Sequence, residues 1–312
     1  MAKQKVTVVG AGHVGATVAQ RLVENQLADV ALVDIVEGLA QGKALDMMQS
    51  AATLGFDTTI VGSDNYEHTN NSDVIIVTAG IARKPGMSRD DLLTTNQKIV
   101  TQVVKETIQR SPNAIYIVVS NPLDVMTFVA WQTSGLPANR VVGMAGVLDS
   151  SRYAAFIAEA IDCSIKDVRA MVLGGHGDSM VPVPEYSTVN GVPITQLLSA
   201  DVIDQINERT KHGGAEIVSY LKTGSAYYAP AASAVAMAES ILLDANRLLP
   251  ACAYVTGEYG IENVYCGVPV VLNRHGVERI VEIELRDHSY KLLHQSAKTV
   301  KELCEKIAAV PL

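Results

Sequence analysis

Short apolar runs rich in Val and Ile recur along the first half of the chain, each separated from the next by a stretch with helical spacing. Lys5–Val9, Val30–Val33, Thr59–Val61, Val74–Thr78, Ile115–Val119 and Val141–Met144 read as strands. Between them, Val14–Leu27, Leu39–Ala52, Asp90–Arg110 and Leu123–Ser134 read as helices. Strands that are apolar on both faces and joined by helices predict a parallel sheet covered on both sides. After about residue 148 the pattern changes. Val168–Leu173 and Val181–Val189 read as strands, with Asn190-Gly191 as a tight hairpin signal. Ala200–Leu221 and Ala226–Leu243 read as long helices; the second carries Glu239 as its single charge, the mark of a buried or subunit-facing helix. Tyr254–Thr256, Val268–Leu272 and Val277–Leu285 suggest an antiparallel sheet, followed by a helix from about Asp287. The reading is an α/β unit over 1–147 and an α+β unit over 148–312, with no low-complexity linker and no internal repeat.

Composition narrows the classes. The 312 residues are 48% hydrophobic and 19% charged, enough for a large core. A net charge of -8 argues against a nucleic-acid partner, which needs clustered Lys and Arg. No apolar run approaches the ~20 residues of a membrane span, and Met-Ala-Lys-Gln-Lys leads straight into a strand with no signal peptide expected. Cys163, Cys252, Cys266 and Cys304 form no C-x-x-C, and the histidines show no ligand spacing. These features predict a cytoplasmic protein with reduced cysteines and no metal.

Gly10-Ala11-Gly12-His13-Val14-Gly15 follows a strand and opens a helix. In that setting Gly10 makes the turn, Gly12 lets backbone approach a pyrophosphate, and Gly15 lets helix and strand pack closely. The helix N-terminus faces the phosphates. Asp34 lies 19 residues past Gly15, at the end of the second strand. A carboxylate there accepts bonds from ribose hydroxyls and repels a 2′-phosphate, favouring NAD over NADP. The first unit is therefore read as a Rossmann-type doubly wound sheet. FAD shares the fingerprint, but the single unit and the histidine site described next favour nicotinamide. His13 receives no role.

Gly174-Gly175-His176-Gly177-Asp178 places one histidine among three glycines at the end of an apolar strand. Oxidation of an alcohol by hydride loss also releases the hydroxyl proton, and an imidazole suits that task. Asp149 and Arg152, three apart at the start of a helical pattern, share a face. Asp149 would pair with His176, fix its tautomer and raise its pKa. Arg152 would hold a substrate carboxylate through two parallel bonds. Gly80–Asp91 is a long connection marked by Gly80, Pro85 and Gly86, the pattern of a lid. From it, Arg89 could polarise a carbonyl and Arg83 could meet a second carboxylate. Asn121, before Pro122 at a strand's C-terminal end, could donate to substrate or nicotinamide. Each feature alone has a plainer explanation, an N-cap or a solvated surface charge; an acidic chain that gathers three arginines at one place points to a dicarboxylate.

These motifs resemble the lactate/malate dehydrogenase superfamily. The resemblance runs through Gly10–Gly15, Asp34, Ala82–Asp91, Asn121–Asp124, Val147–Arg152, Gly174–Pro182 and Thr223–Pro230. Within it, the chain looks most like the bacterial malate dehydrogenases of the lactate-dehydrogenase-like type. The resemblance implies His176 as proton donor and acceptor, Asp149 as its partner, Arg152 on the C1 carboxylate and Arg89 on the reacting carbonyl. Arg83 matches a position that is typically glutamine in lactate enzymes and arginine in malate enzymes, and Ala226 a pocket wall that is small in the malate type. It also implies Asn96, Val119 and Asn121 as contacts to NAD, a cis Asn121-Pro122 peptide, and a homo-oligomer, with a tetramer favoured over a dimer. The implied activity is malate + NAD⁺ ⇌ oxaloacetate + NADH + H⁺. Lactate or another 2-hydroxy acid is the alternative within the class. A nicotinamide-dependent glycosidase would need a metal cluster of Cys and His that the chain lacks, and a non-catalytic NAD module would not need His176, Asp149 and three arginines.

Overall fold

The structure is a computed structural model that describes residues 3–81 and 89–308. Strands β1 (Lys5–Val9), β2 (Asp29–Val33), β3 (Ile60–Ser63), β4 (Val74–Val77), β5 (Ile115–Val118) and β6 (Val141–Gly143) pair in parallel. They are joined by α1 (His13–Glu24), α2 (Leu39–Leu54), α3 (Arg89–Arg110) and α4 (Leu123–Ser134). The sheet runs β3-β2-β1-β4-β5-β6, so its order reverses between β1 and β4. Ligands of such sheets bind outside the strand C-termini at that reversal. β4 and β5 are buried at every residue, as strands covered on both faces must be.

The second half begins with α5 (Gly146–Ile161), which leaves β6 directly. Next come β7 (Val168–Arg169), β8 (Val172–Gly174), β9 (Met180–Pro182), β10 (Thr188–Val189) and β11 (Val192–Pro193). Then α6 (Ala200–Leu221), α7 (Tyr228–Leu242), β12 (Arg247–Thr256), β13 (Glu262–Asn273), β14 (Gly276–Ile280) and α8 (Asp287–Ala308) complete the described chain. β12 pairs antiparallel with β6 through Cys252 and Gly143, so β12, β13 and β14 extend the parallel sheet to nine strands. One continuous apolar core spans both halves: α7 packs on α1, and α8 packs on β13 and α4.

Three expectations need correction. Val168–Leu173 is two strands in different sheets, because the Ser187 and Ser150 hydroxyls take the N–H groups of Met171 and Val172. Val181–Val189 breaks after Pro182, where Pro184–Tyr186 forms a 3₁₀ turn; proline has no N–H for a ladder. β12 and β13 are far longer than Tyr254–Thr256 and Val268–Leu272. Pro250 faces Pro269 across that pair, a position that exchanges no N–H bonds, so residues that read as breakers are accommodated. The Asn190-Gly191 hairpin forms as expected, with both residues at positive φ.

Candidate active site

The glycine turn works through backbone and open space. Gly10 has φ of +106°, and its N–H bonds the Val33 carbonyl at 2.7 Å. A Cβ on Gly15 would stand 1.8 Å from the Gly10 carbonyl oxygen, which no side chain tolerates. A Cβ on Gly12 would meet nothing within 4 Å. That open side lies at the start of α1, whose first N–H groups have no side-chain cap and no acid in the first turn. Exposed donors beside open space fit a pyrophosphate. The Asp34 carboxylate accepts the Ala11 N–H at 2.6 Å and the Val36 N–H at 3.0 Å. It thus fastens the turn, and the remaining lone pairs of its oxygens can accept ribose hydroxyls. Lys43 Nζ donates to the Ala11 carbonyl at 2.6 Å, a second tie that the sequence reading missed. His13 stacks on Tyr227, with ring centroids 4.9 Å apart.

Across the cleft, charge replaces open space. α5 carries Asp149 and Arg152 one turn apart, and Asp149 is 2% exposed. One Asp149 oxygen lies 2.9 Å from His176 Nδ1; the other lies 3.4 Å from Arg152 Nη1. An ionised carboxylate only accepts, so Nδ1 carries the hydrogen and Nε2 is left for a ligand. Burial works to lower the His176 pKa, but Asp149, by charge and hydrogen bond, and then Asp124 outweigh it and hold the imidazole above its ordinary value. Burial lowers the Arg152 pKa against the pull of Asp149, yet a guanidinium stays charged.

Room for Arg152 comes from α6. A Cβ on Gly213 would lie 3.3 Å from Arg152 Cδ, and one on Gly214 would lie 3.7 Å from Nη2. The Gly213-Gly214 pair inside a helix was the available signal for this wall, since glycine there costs about 1 kcal/mol relative to alanine. Arg152 Nε is buried without a hydrogen-bond partner among the described residues.

The cleft between these walls has a volume of about 470 Å³, lined among others by Thr78, Asn121, Arg152, His176 and Ala226. Lys211, His212 and Ser225 also line it and were not singled out from sequence. Asn121 is exposed there, and the Asn121–Pro122 peptide is cis, as the resemblance implied. Val119 lines the same cleft. Asn96 lines it too; its Oδ1 accepts the Ile81 N–H at 2.8 Å, and its Nδ2 donates to the Ile81 and Asn121 carbonyls at 3.1 and 2.6 Å. Its amide thus ties Ile81 and Asn121 together at the edge of the cleft. Arg83 lies outside the described residues, and Arg89 is described only as the first residue of α3. Of the three arginines expected at the site, the structure therefore places the side chain of Arg152.

Among the described residues, no group of three His, Cys, Asp or Glu could hold a metal ion, and no helix is long and apolar enough to cross a membrane.

Residues 4–143 match the family described as lactate/malate dehydrogenase, NAD binding domain, and residues 146–310 match the lactate/malate dehydrogenase alpha/beta C-terminal domain. A malate dehydrogenase of Pelodictyon phaeoclathratiforme is 58% identical over 98% of this chain and 99% of its own length. The solved malate dehydrogenase from Salinibacter ruber has a TM-score of 0.94 at 49% identity, covering 98% of each chain. A lactate dehydrogenase from Cryptosporidium parvum, complexed with lactic acid and nicotinamide adenine dinucleotide, superimposes with a TM-score of 0.96 at 40% identity over 100% of both chains.

Proposed function

Because this chain belongs to the lactate/malate dehydrogenase family, we infer that it interconverts malate and oxaloacetate with NAD. The observation that carries the chemistry is the buried His176–Asp149 pair facing a cleft beside the Gly10–Gly15 turn. NAD, when bound, accepts or returns the hydride. The first N–H groups of α1, the open side of Gly12 and Asp34 would hold it, with Asn121 and the Val119 backbone beside the nicotinamide end.

In reduction, His176 as imidazolium gives its Nε2 proton to the ketone oxygen, and Asp149 stabilises the charged form until that moment. In oxidation, the neutral imidazole takes the hydroxyl proton. Arg152 holds the C1 carboxylate with two parallel bonds. Arg89 polarises the carbonyl, and Arg83 meets the second carboxylate. The fold alone does not choose malate over lactate, since the lactate enzyme named above overlays equally well. The choice rests on Arg83 and on relatives of 52–58% identity that are named malate dehydrogenases.

The test is NADH consumption with oxaloacetate and with pyruvate, in the unmodified protein and in Arg83→Gln. Removing one partner of a desolvated ion pair costs roughly 3–5 kcal/mol, or about 10²–10⁴ in selectivity. Oxaloacetate kcat/KM should fall by about that factor and pyruvate activity should rise. An unchanged ratio would remove Arg83 from the account.

The catalytic division is proposed as 1–147 for NAD and 148–312 for substrate. A cytoplasmic homo-oligomer, with a tetramer favoured, completes the reading. Exposed Leu45 and Leu54 on α2, and Val218, Tyr220 and Leu221 on α6, are suited to subunit contacts, and the four cysteines are free thiols, suited to a reducing compartment. Sedimentation equilibrium decides between dimer and tetramer.

A further inference from the structure

A second carboxylate lies beneath the His176 loop. Asp124, in the first turn of α4, is 5% exposed. Its Oδ2 accepts the His176 backbone N–H at 2.9 Å. Its Oδ1 is buried and meets no hydrogen-bond partner among the described residues. The neighbouring N–H, that of Gly175, donates to Ser296 Oγ of α8 at 2.8 Å. Two successive backbone donors of the loop are thus held from below by different elements, while Asp149 holds the ring from the side.

We propose that Asp124 is a positioning residue for the proton shuttle: its carboxylate fixes the His176 backbone from beneath the loop and sets a second negative charge there, with Asp149 at the ring. This deepens the dehydrogenase reading and rests on it. The groups facing Asp124 are His176, the thiols of Cys252 on β12 and Cys266 on β13, and Cys304 on α8; Asp149 and Arg152 lie beyond His176. Burial pushes the thiols up, so they are neutral, and His176 is the cation that answers Asp124. Burial also pushes the Asp124 carboxyl up, while the His176 N–H, the Cys252 thiol as a hydrogen-bond donor and the His176 charge draw it back. The two groups are therefore coupled, with burial and the His176 charge acting on Asp124 in opposite directions. An acceptor of the N–H without charge would hold the loop and leave the imidazole less basic.

Asp124→Asn keeps an acceptor of the same shape and removes the charge. Its pH profile for oxaloacetate reduction should move to lower pH, with kcat/KM above the inflection about tenfold below the unmodified protein, equivalent to about one unit of pKa. Ser296→Ala, which removes the other anchor without touching charge, should lower kcat and leave the inflection in place. An Asp124→Asn profile with the original inflection overturns the proposal. Should that variant not fold, the Asp124 carboxyl carbon is followed by NMR in the unmodified, isotope-labelled protein. A carboxylate signal wherever His176 is imidazolium supports the proposal, and a protonated Asp124 across that range overturns it. This readout needs no turnover, so an unmodified protein inactive on oxaloacetate would contradict the dehydrogenase reading separately.

Discussion

The two walls of the cleft are built on opposite principles. The Gly10–Gly15 wall is made of missing side chains: Gly15 because nothing fits, Gly12 with open space beside it. The His176 wall is made of charges withdrawn from water, with Asp149, Arg152, Asp124 and His176 each buried or nearly so. The first wall acts through shape and backbone dipoles, which do not titrate. The second acts through proton affinity, which changes with every charge added or removed. Binding of the dinucleotide and transfer of the proton should therefore fail separately.

His176→Asn should separate them most sharply. Turnover should fall by about 10²–10⁴, the usual contribution of a positioned acid–base group. NADH affinity, read by fluorescence titration, should stay close to that of the unmodified protein. A joint loss of binding and turnover would mean that the walls are not independent.

The glycine wall is divided next by two alanines. Gly15→Ala forces the Gly10 carbonyl away and should destabilise the fold by about 1–3 kcal/mol, the usual cost of overpacking. Gly12→Ala meets no protein atom and should cost the fold about 1 kcal/mol or less, as a changed helix cap. Its effect should fall on NADH affinity, lowered about tenfold or more, equivalent to 1.4 kcal/mol. Thermal unfolding without cofactor, set beside NADH titration, reads both. Equal destabilisation by the two alanines would contradict the assignment of Gly12 to the ligand.

Asp34→Ser should have a smaller effect. Loss of the charge should narrow the preference for NADH over NADPH by about tenfold, since a 2′-phosphate would no longer be repelled. Part of the loss should appear as weaker binding of both cofactors, because Asp34 also ties Ala11. Equal kcat/KM for the two cofactors in the unmodified protein would remove Asp34 from cofactor choice.

The two walls were also unequally legible. A glycine turn between strand and helix, with an acid at the next strand end, is a local pattern, and Gly10, Gly12, Gly15 and Asp34 stand where the spacing put them. The His176–Asp149 contact joins residues 27 apart in sequence, and the helix phase of Asp149 and Arg152 together with the resemblance was enough to expect it. What remained hidden depends on chain returning from far away. Asp124 meets the His176 N–H across 52 residues, and Ser296 meets Gly175 across 121. The β6–β12 seam that joins both halves into one sheet is made between Gly143, on an expected strand, and Cys252, outside the Tyr254–Thr256 reading. The backbone ties that Asn96 makes to Ile81 and Asn121 were equally hidden, because a buried amide satisfies whatever backbone folds around it.

The account stands on Asp149 raising the proton affinity of His176, and the pH dependence of oxaloacetate reduction tests this most directly. Reduction needs imidazolium, so kcat/KM should be high at low pH and fall as pH rises through the folded value of His176, which lies above its ordinary 6.5. In Asp149→Asn the strongest raising influence is gone while burial, which lowers, remains. The inflection should move to lower pH and maximal kcat should drop, with NADH affinity little changed. An inflection that stays where it was in the unmodified protein would contradict the pairing of Asp149 with His176 as the source of the shuttle's basicity.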